Sequence, residues 1–215
     1  MAAMQRPLPW RDRLIGTIDQ GLRTLATAAT PARPSPADEL PEPSLTDEER
    51  RLSAALLRVN HAGEMAAQAL YSGQSLFARS EATRVQLHTA ANEERDHLAW
   101  CAARLAELGG RASVLDPFWY TGAFVIGMVA GTFGDRVSLG FVTETERQVE
   151  AHLQDHLQRL PTTDRRSAAV LSKMAEDETH HGTMAQLAGG AALPAPIRMC
   201  MQVGGGLLRR VAMFL

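Results

Sequence analysis

Two Glu-x-x-His pairs, Glu94-Arg-Asp-His97 and Glu178-Thr-His-His181, dominate what this chain can become. Residues three apart sit one turn apart on the same helix face, so both side chains of each pair reach a common point. One such pair arises easily by chance. Here each is preceded by a glutamate in the middle of another long apolar-periodic stretch: Glu64 lies 30 residues before Glu94, and Glu146 lies 32 before Glu178. The order Glu, Glu-x-x-His, then again Glu, Glu-x-x-His predicts two helical hairpins related by an internal pseudo-repeat.

The helix boundaries follow from local signals. Thr46-Asp47-Glu48-Glu49 is a capping box, and the apolar and small residues from Leu52 to Phe77 recur at three and four, which predicts a helix to about Arg79. A second runs from about Glu81 to Leu108 and stops at Gly109-Gly110. An uncharged segment, Pro117 to Gly134, precedes a break at Gly134; a third long amphipathic stretch then runs to Leu160, and a fourth from about Asp164 to Ala188. Residues 193–215 read as a broken apolar, basic helix. Residues 1–43, with an amphipathic piece over Arg11 to Leu25 and five prolines in TPARPSPADELPEP, read as an arm and linker before a domain over 44–215. No alternating strand of useful length appears. The expected fold is all-α, a ferritin-like four-helix bundle with additional apolar and amphipathic helices.

Composition narrows the function classes. Lys and Arg total 22 against 24 Asp and Glu, a net charge of -2, so a nucleic-acid partner is not expected. Cys101 and Cys200 are too few for a disulfide framework, and the N-terminus lacks the apolar core of a signal peptide, so the cytoplasmic side is expected. The Pro117 to Gly134 segment is a poor membrane span, diluted by four glycines and bracketed by Asp116 and Asp135; it is read as a buried helix or one lying at a membrane surface.

Four carboxylates and two imidazoles converging in a bundle core would repel and protonate unless divalent cations compensated them. Hard oxygen donors with one imidazole per metal suit iron or manganese, whereas structural zinc normally recruits cysteine. The candidate ligands are Glu64, Glu94, His97, Glu146, Glu178 and His181. Asp177 is placed to reach across and accept from the free ring nitrogen of His97, while His61 and His152 are candidates for lining or supporting the site. Tyr71, two turns after Glu64, and Glu150, one turn beyond Glu146, face either the same cavity or, for Glu150, a surface salt bridge. His180 points away from His181 and is expected to be exposed; His88 and His156 have no neighbours that suggest a role.

Through RVNHAGEMAAQALYSGQ, EERDHLAW, SLGFVTETERQVEAHL and DETHHGTMA, the chain from about Leu57 onward resembles the demethoxyubiquinone hydroxylases of ubiquinone biosynthesis, carboxylate-bridged di-iron monooxygenases of ferritin-like fold. Asn60 departs from the Asp of many relatives, and Met65 from an aromatic. The resemblance places the six ligands on the six residues already singled out. It implies hydroxylation of a polyprenylated demethoxy-benzoquinol with O2 at two iron ions, the two electrons coming from NADH or from the quinol itself. The implied partners are that quinol and the membrane surface, with room for a second copy or a lipid-binding accessory protein. The implied location is peripheral, on the cytoplasmic face of the cell membrane. Docking is expected through Phe118, Trp119, Tyr120, Phe124, Val125, Ile126 and Met128, and through the tail with Arg198, Arg209 and Arg210. Ferroxidase or iron storage is the main alternative; a tRNA hydroxylase and a purely structural bundle are less consistent with the charge and the ligand pattern.

Overall fold

A computed structural model describes residues 9–215. Among them are seven helices and no strand: α1 (Trp10–Ala26), α2 (Asp47–Phe77), α3 (Glu81–Glu107), α4 (Asp116–Thr132), α5 (Asp135–Arg159), α6 (Arg165–Leu187) and α7 (Ala195–Ala212). The bundle is α2, α3, α5 and α6, with α2 paired to α3 and α5 to α6.

Local chemistry sets the ends of these helices. The Thr46 hydroxyl accepts from the Glu49 N–H at 3.2 Å and the Glu49 carboxylate accepts from the Thr46 N–H at 2.8 Å, the reciprocal pair of a capping box. Ser80 accepts from the Thr83 N–H and Asp164 from the Ser167 N–H, starting α3 and α6 in the same way. Asp135, the first residue of α5, takes the Arg79 and Ser80 N–H groups, each at 2.8 Å, and so joins the two hairpins at the α2–α3 turn. Gly134 separates α4 from α5 at a φ of 94°, a conformation that a residue with a side chain adopts only under strain.

The interior is layered. One apolar cluster contains Leu56, Leu57, Trp100, Leu105, Leu153, Leu171 and Met174. A second contains Ala67, Leu70, Tyr71, Leu87, Ala91, Leu139, Val142 and Ala185. On every bundle helix the candidate ligands fall between the residues of these two clusters, so a polar layer crosses an otherwise apolar core. At the far end Arg104, 1% exposed, is enclosed by Asp164, Ser167, Glu42 and Glu107. A buried guanidinium is tolerable because every direction it points in offers an acceptor.

Three features differ from expectation. The tail is one continuous helix through Gly204-Gly205-Gly206. Each glycine costs about 1 kcal/mol of helix propensity, and packing of Leu208, Ala212 and Met213 against Val59, Ala62 and Trp119 offsets it. The apolar segment α4 is neither fully buried nor free: it lies along α2, where a Cβ on Gly127 would strike the Leu70 carbonyl oxygen and one on Gly73 the Phe124 carbonyl oxygen. Tyr120 is therefore buried, Trp119 and Phe124 half-buried, and the exposed apolar face is Phe118, Val125, Ile126, Val129 and Phe133. Among the described residues no helix is long and apolar enough to cross a membrane. Finally, the stretch between α1 and α2 lacks regular structure, as its prolines dictate, yet it is packed: Ala37 is in the core, and Arg33, Leu40 and Glu42 bond to α3 and α6.

Candidate metal centre

The polar layer brings all six candidate ligands together. Glu64 of α2, Glu94 of α3, Glu146 of α5 and Glu178 of α6 are each 1% exposed or less, and His97 is fully buried; His181 is 7% exposed. Their donor atoms form two groups, Glu64, Glu94, His97 and Glu178, and Glu94, Glu146, Glu178 and His181, each with its atoms within 4.8 Å of one another. Glu94 and Glu178 belong to both groups. The geometry offers two adjacent candidate cation positions that share two carboxylates, each with one further carboxylate and one imidazole of its own.

The imidazoles point inward through the same atom. His97 Nδ1 faces Glu94 at 2.9 Å, Glu178 at 3.3 Å and Glu64 at 3.4 Å. His181 Nδ1 faces Glu94 and Glu178 at 3.5 Å and Glu146 at 3.8 Å. Outward, His97 Nε2 donates to Asp177 Oδ2 at 3.1 Å, and His181 Nε2 donates to Glu93. A proton held on Nε2 leaves the Nδ1 lone pair for a metal. Asp177 and Glu93 each immediately precede the glutamate of one motif and serve the histidine of the other. Glu93 was not among the sequence candidates, although the repeat that places Asp177 against His97 places Glu93 against His181 by the same operation.

Without a cation the layer balances its buried charge by protonation. Burial, then the neighbouring Glu178, raises the Glu64 carboxyl well above the usual carboxylate range, and burial with Glu178 and Glu94 does the same to Glu146. Burial works against the imidazolium of His97, but its bonds to Asp177, Glu178, Glu64 and Glu94 outweigh it and hold the ring positive well above the usual histidine range. His181 is raised in the same way by Glu178, Glu93 and Glu94 against the opposing effect of burial. Seven buried atoms of the cluster have no hydrogen-bond partner: both oxygens of Glu64 and of Glu178, one each of Glu94 and Glu146, and Nδ1 of His181. Buried acceptors without donors are costly, and a pair of divalent cations is the group that would satisfy them together. Oxygen donors with one imidazole per position fit iron or manganese.

Other candidates take different places. The Tyr71 hydroxyl donates to Glu146 Oε1, fixing that carboxylate from α2. His61 pairs with Asp116 of α4 at 3.2 Å, and with Met65, Leu98 and residues 24–29 it lines a partly open cavity of about 400 Å³. His152 turns away from the cluster; His152 Nε2 and His156 Nδ1 lie 3.1 and 3.0 Å from Asn60 Oδ1, at a second cavity of about 620 Å³ between α5 and α7 that includes Arg147, Arg159, Arg209 and Arg210. His156 thus has a buried partner that its sequence neighbours do not reveal. Glu150 is partly buried without an ion pair among the described residues, and His180 is exposed.

Residues 51–208 match the family described as ubiquinone biosynthesis protein COQ7. The chain belongs to this family. Curated relatives called 3-demethoxyubiquinol 3-hydroxylase include that of Nitrosomonas eutropha, 54% identical over 201 residues covering 94% of this chain and 97% of the relative. That of Cupriavidus taiwanensis is 57% identical over 193 residues, covering 89% and 93%. Among solved structures, the dodecameric thioferritin of Bacteroides fragilis, described as bacterioferritin-related, matches with a TM-score of 0.51 at 19% identity, covering 66% of this chain and 84% of that one. The fold is therefore ferritin-like, on the all-helical architecture expected from the sequence.

Proposed function

We propose that this COQ7-family chain is a 3-demethoxyubiquinol 3-hydroxylase, a di-iron monooxygenase that hydroxylates a polyprenyl demethoxy-benzoquinol with O2. The observation that carries the reading is the pair of overlapping donor groups sharing Glu94 and Glu178, in a chain more than half identical to relatives bearing that activity's name. Glu64, Glu94, His97, Glu146, Glu178 and His181 would hold the two irons. When bound, the irons supply the reduction of O2 and the transfer of one of its oxygen atoms to the ring, the electrons coming from NADH or the quinol itself.

The chain's own contribution is positional. Asp177 and Glu93 keep protons on the outer nitrogens of the two imidazoles, so both rings present Nδ1 inward. Burial pushes the Tyr71 phenol well up, with Glu146, Glu94 and Glu178 adding to the effect, so the hydroxyl stays a donor and restrains Glu146. Apolar layers above and below keep water from the carboxylates. The cavity at His61, Met65 and Leu98 adjoins the residues next in sequence to Glu64 and His97, and its size suits a substituted benzoquinol head.

A prenyl tail favours lipid by about 0.8 kcal/mol per methylene, so the reading includes a peripheral position on the cytoplasmic face of the cell membrane. Supporting it are three helices with exposed apolar faces: Ile15, Ile18 and Leu22 on α1; Phe118, Val125, Ile126 and Val129 on α4, with Phe133 just beyond its end; Met199, Val203 and Leu207 on α7. Incubation of the iron-loaded protein with a demethoxyubiquinol and 18O2 should give the hydroxylated quinone with one labelled oxygen. Glu178→Ala and His181→Ala should lose iron and product together. A variant retaining two irons per chain and full turnover would remove these residues from the centre.

A further inference from the structure

We infer that Arg33 is a positioning residue for the His97 half of the centre and that it makes the two cation positions unequal. The inference rests on the metal reading above and adds to it a residue from outside the bundle. Arg33 lies between Pro31 and Pro34 in the segment that follows α1, remote in sequence from everything it touches. Its Nε donates to Asp96 Oδ2 at 2.6 Å, and its Nη1 donates to Asp177 Oδ2 at 2.8 Å. That oxygen also accepts from His97 Nε2. The other oxygen of Asp177 takes Lys173 Nζ at 2.9 Å. Asp177 is thus held from three sides, and its bond to His97 is made by an oxygen that cannot rotate away.

Arg33 is itself restrained. The Ala32 N–H donates to Asp96 Oδ1 at 2.6 Å, the Trp100 indole donates to the Arg33 carbonyl at 3.3 Å, and the guanidinium lies 4.9 Å from the centre of the Trp100 ring. That indole ring is in turn 5.4 Å from the imidazole of His97. A side chain needed only to fasten the segment would be satisfied by Asp96. The planar guanidinium spends its second arm on Asp177, a fork that lysine cannot reproduce.

The other half lacks this support. Glu93, which holds His181, is 38% exposed in its side chain, and no lysine or arginine pairs with it among the described residues. Two half-sites that the repeat makes alike in their ligands therefore differ in how firmly the histidine is held. The His97 position is the pre-organised one and should fill first; the His181 position, closed by a solvent-facing carboxylate, should fill second and exchange faster.

The test is an anaerobic titration of the iron-free full-length protein with Fe(II), read by Mössbauer and magnetic circular dichroism spectra, with thermal melting as a check on folding. In the unaltered protein the first equivalent should give one iron environment and the second another. In Arg33→Gln the first binding constant should fall about tenfold, the low end for loss of an outer contact, and the first equivalent should divide between two environments. In an Asp177→Asn background the same change should have no further effect, because the path runs through Asp177. Arg33→Lys, which keeps the charge and one carboxylate, should keep the melting temperature and still lose the ordered filling; it carries the test if Arg33→Gln does not fold. Ordered filling and unchanged affinity in a folded Arg33 variant would overturn the inference alone, as would an undiminished tenfold loss in the Asp177→Asn background. Failure of the unaltered protein to take up two irons would overturn the metal reading and this inference with it.

Discussion

At the scale of single residues, the crossed contacts Asp177 to His97 and Glu93 to His181 bind α3 and α6 to each other through the centre itself. Glu93→Gln and Asp177→Asn keep shape while replacing an anionic acceptor with a neutral one; each should weaken metal binding or turnover by about 10 to 100 fold, measured by titration calorimetry with Fe(II) or Mn(II). The pair His152 and His156 gives a separate, pH-dependent expectation. Burial first, with Arg209 adding to it, lowers the His152 imidazole to about 4, and burial with His152 itself lowers His156 to about 3. The unfolded chain takes up these protons near pH 6.5 while the folded chain resists them, so the unfolded state binds more protons over that interval. Stability contributed by this pair is complete above about pH 6.5 and is lost as the pH falls toward about 4. Urea denaturation across that range should show the decline, and Asn60→Asp, which sets a carboxylate between the two rings and favours their charged form, should make it smaller by bringing the folded-state values back toward those of the unfolded chain.

Single helices carry their own constraints, most sharply where α4 meets α2. A methyl group at Gly127 has the Leu70 backbone oxygen in its way, and backbone cannot yield as a side-chain tip can. Gly127→Ala should cost about 3 kcal/mol, the upper part of the range for overpacking, seen as a lower urea midpoint; Gly122→Ala, with nothing within 4 Å, serves as its control. Much of this level was legible beforehand. The capping box at Thr46, the stop at Gly109 and the recurrence of Glu with Glu-x-x-His are local or periodic, so they can be read along the chain. The burial of Tyr120 and half-burial of Trp119 were not, because α4 is apolar all round and its pattern does not say which face meets α2. Nor was the role of Arg33: 144 residues separate it from Asp177, and no periodicity spans that distance.

For the molecule as a whole, three helices outside the bundle present rows of apolar residues to the surroundings, whereas those exposed on the bundle, such as Phe77, Val85 and Leu187, are scattered. Replacing Val203 and Leu207, both exposed on α7 and outside the centre, with aspartate should lower the fraction of protein floating with anionic liposomes severalfold without changing the melting temperature; undiminished flotation would place the docking face elsewhere. The glycine contacts between α2 and α4 also decide which part of this surface can breathe. With backbone against backbone at Gly73 and Gly127, the two helices are locked at that crossing and should travel as one rod. α1 has no such lock, burying only Thr17 and Gly21. Any widening of the cavity at His61 therefore falls to α1 and the residues after it, which form one of its walls. In hydrogen exchange, amides of α1 should exchange well before those of α4, and the threshold of the site should prove to be its N-terminal rim.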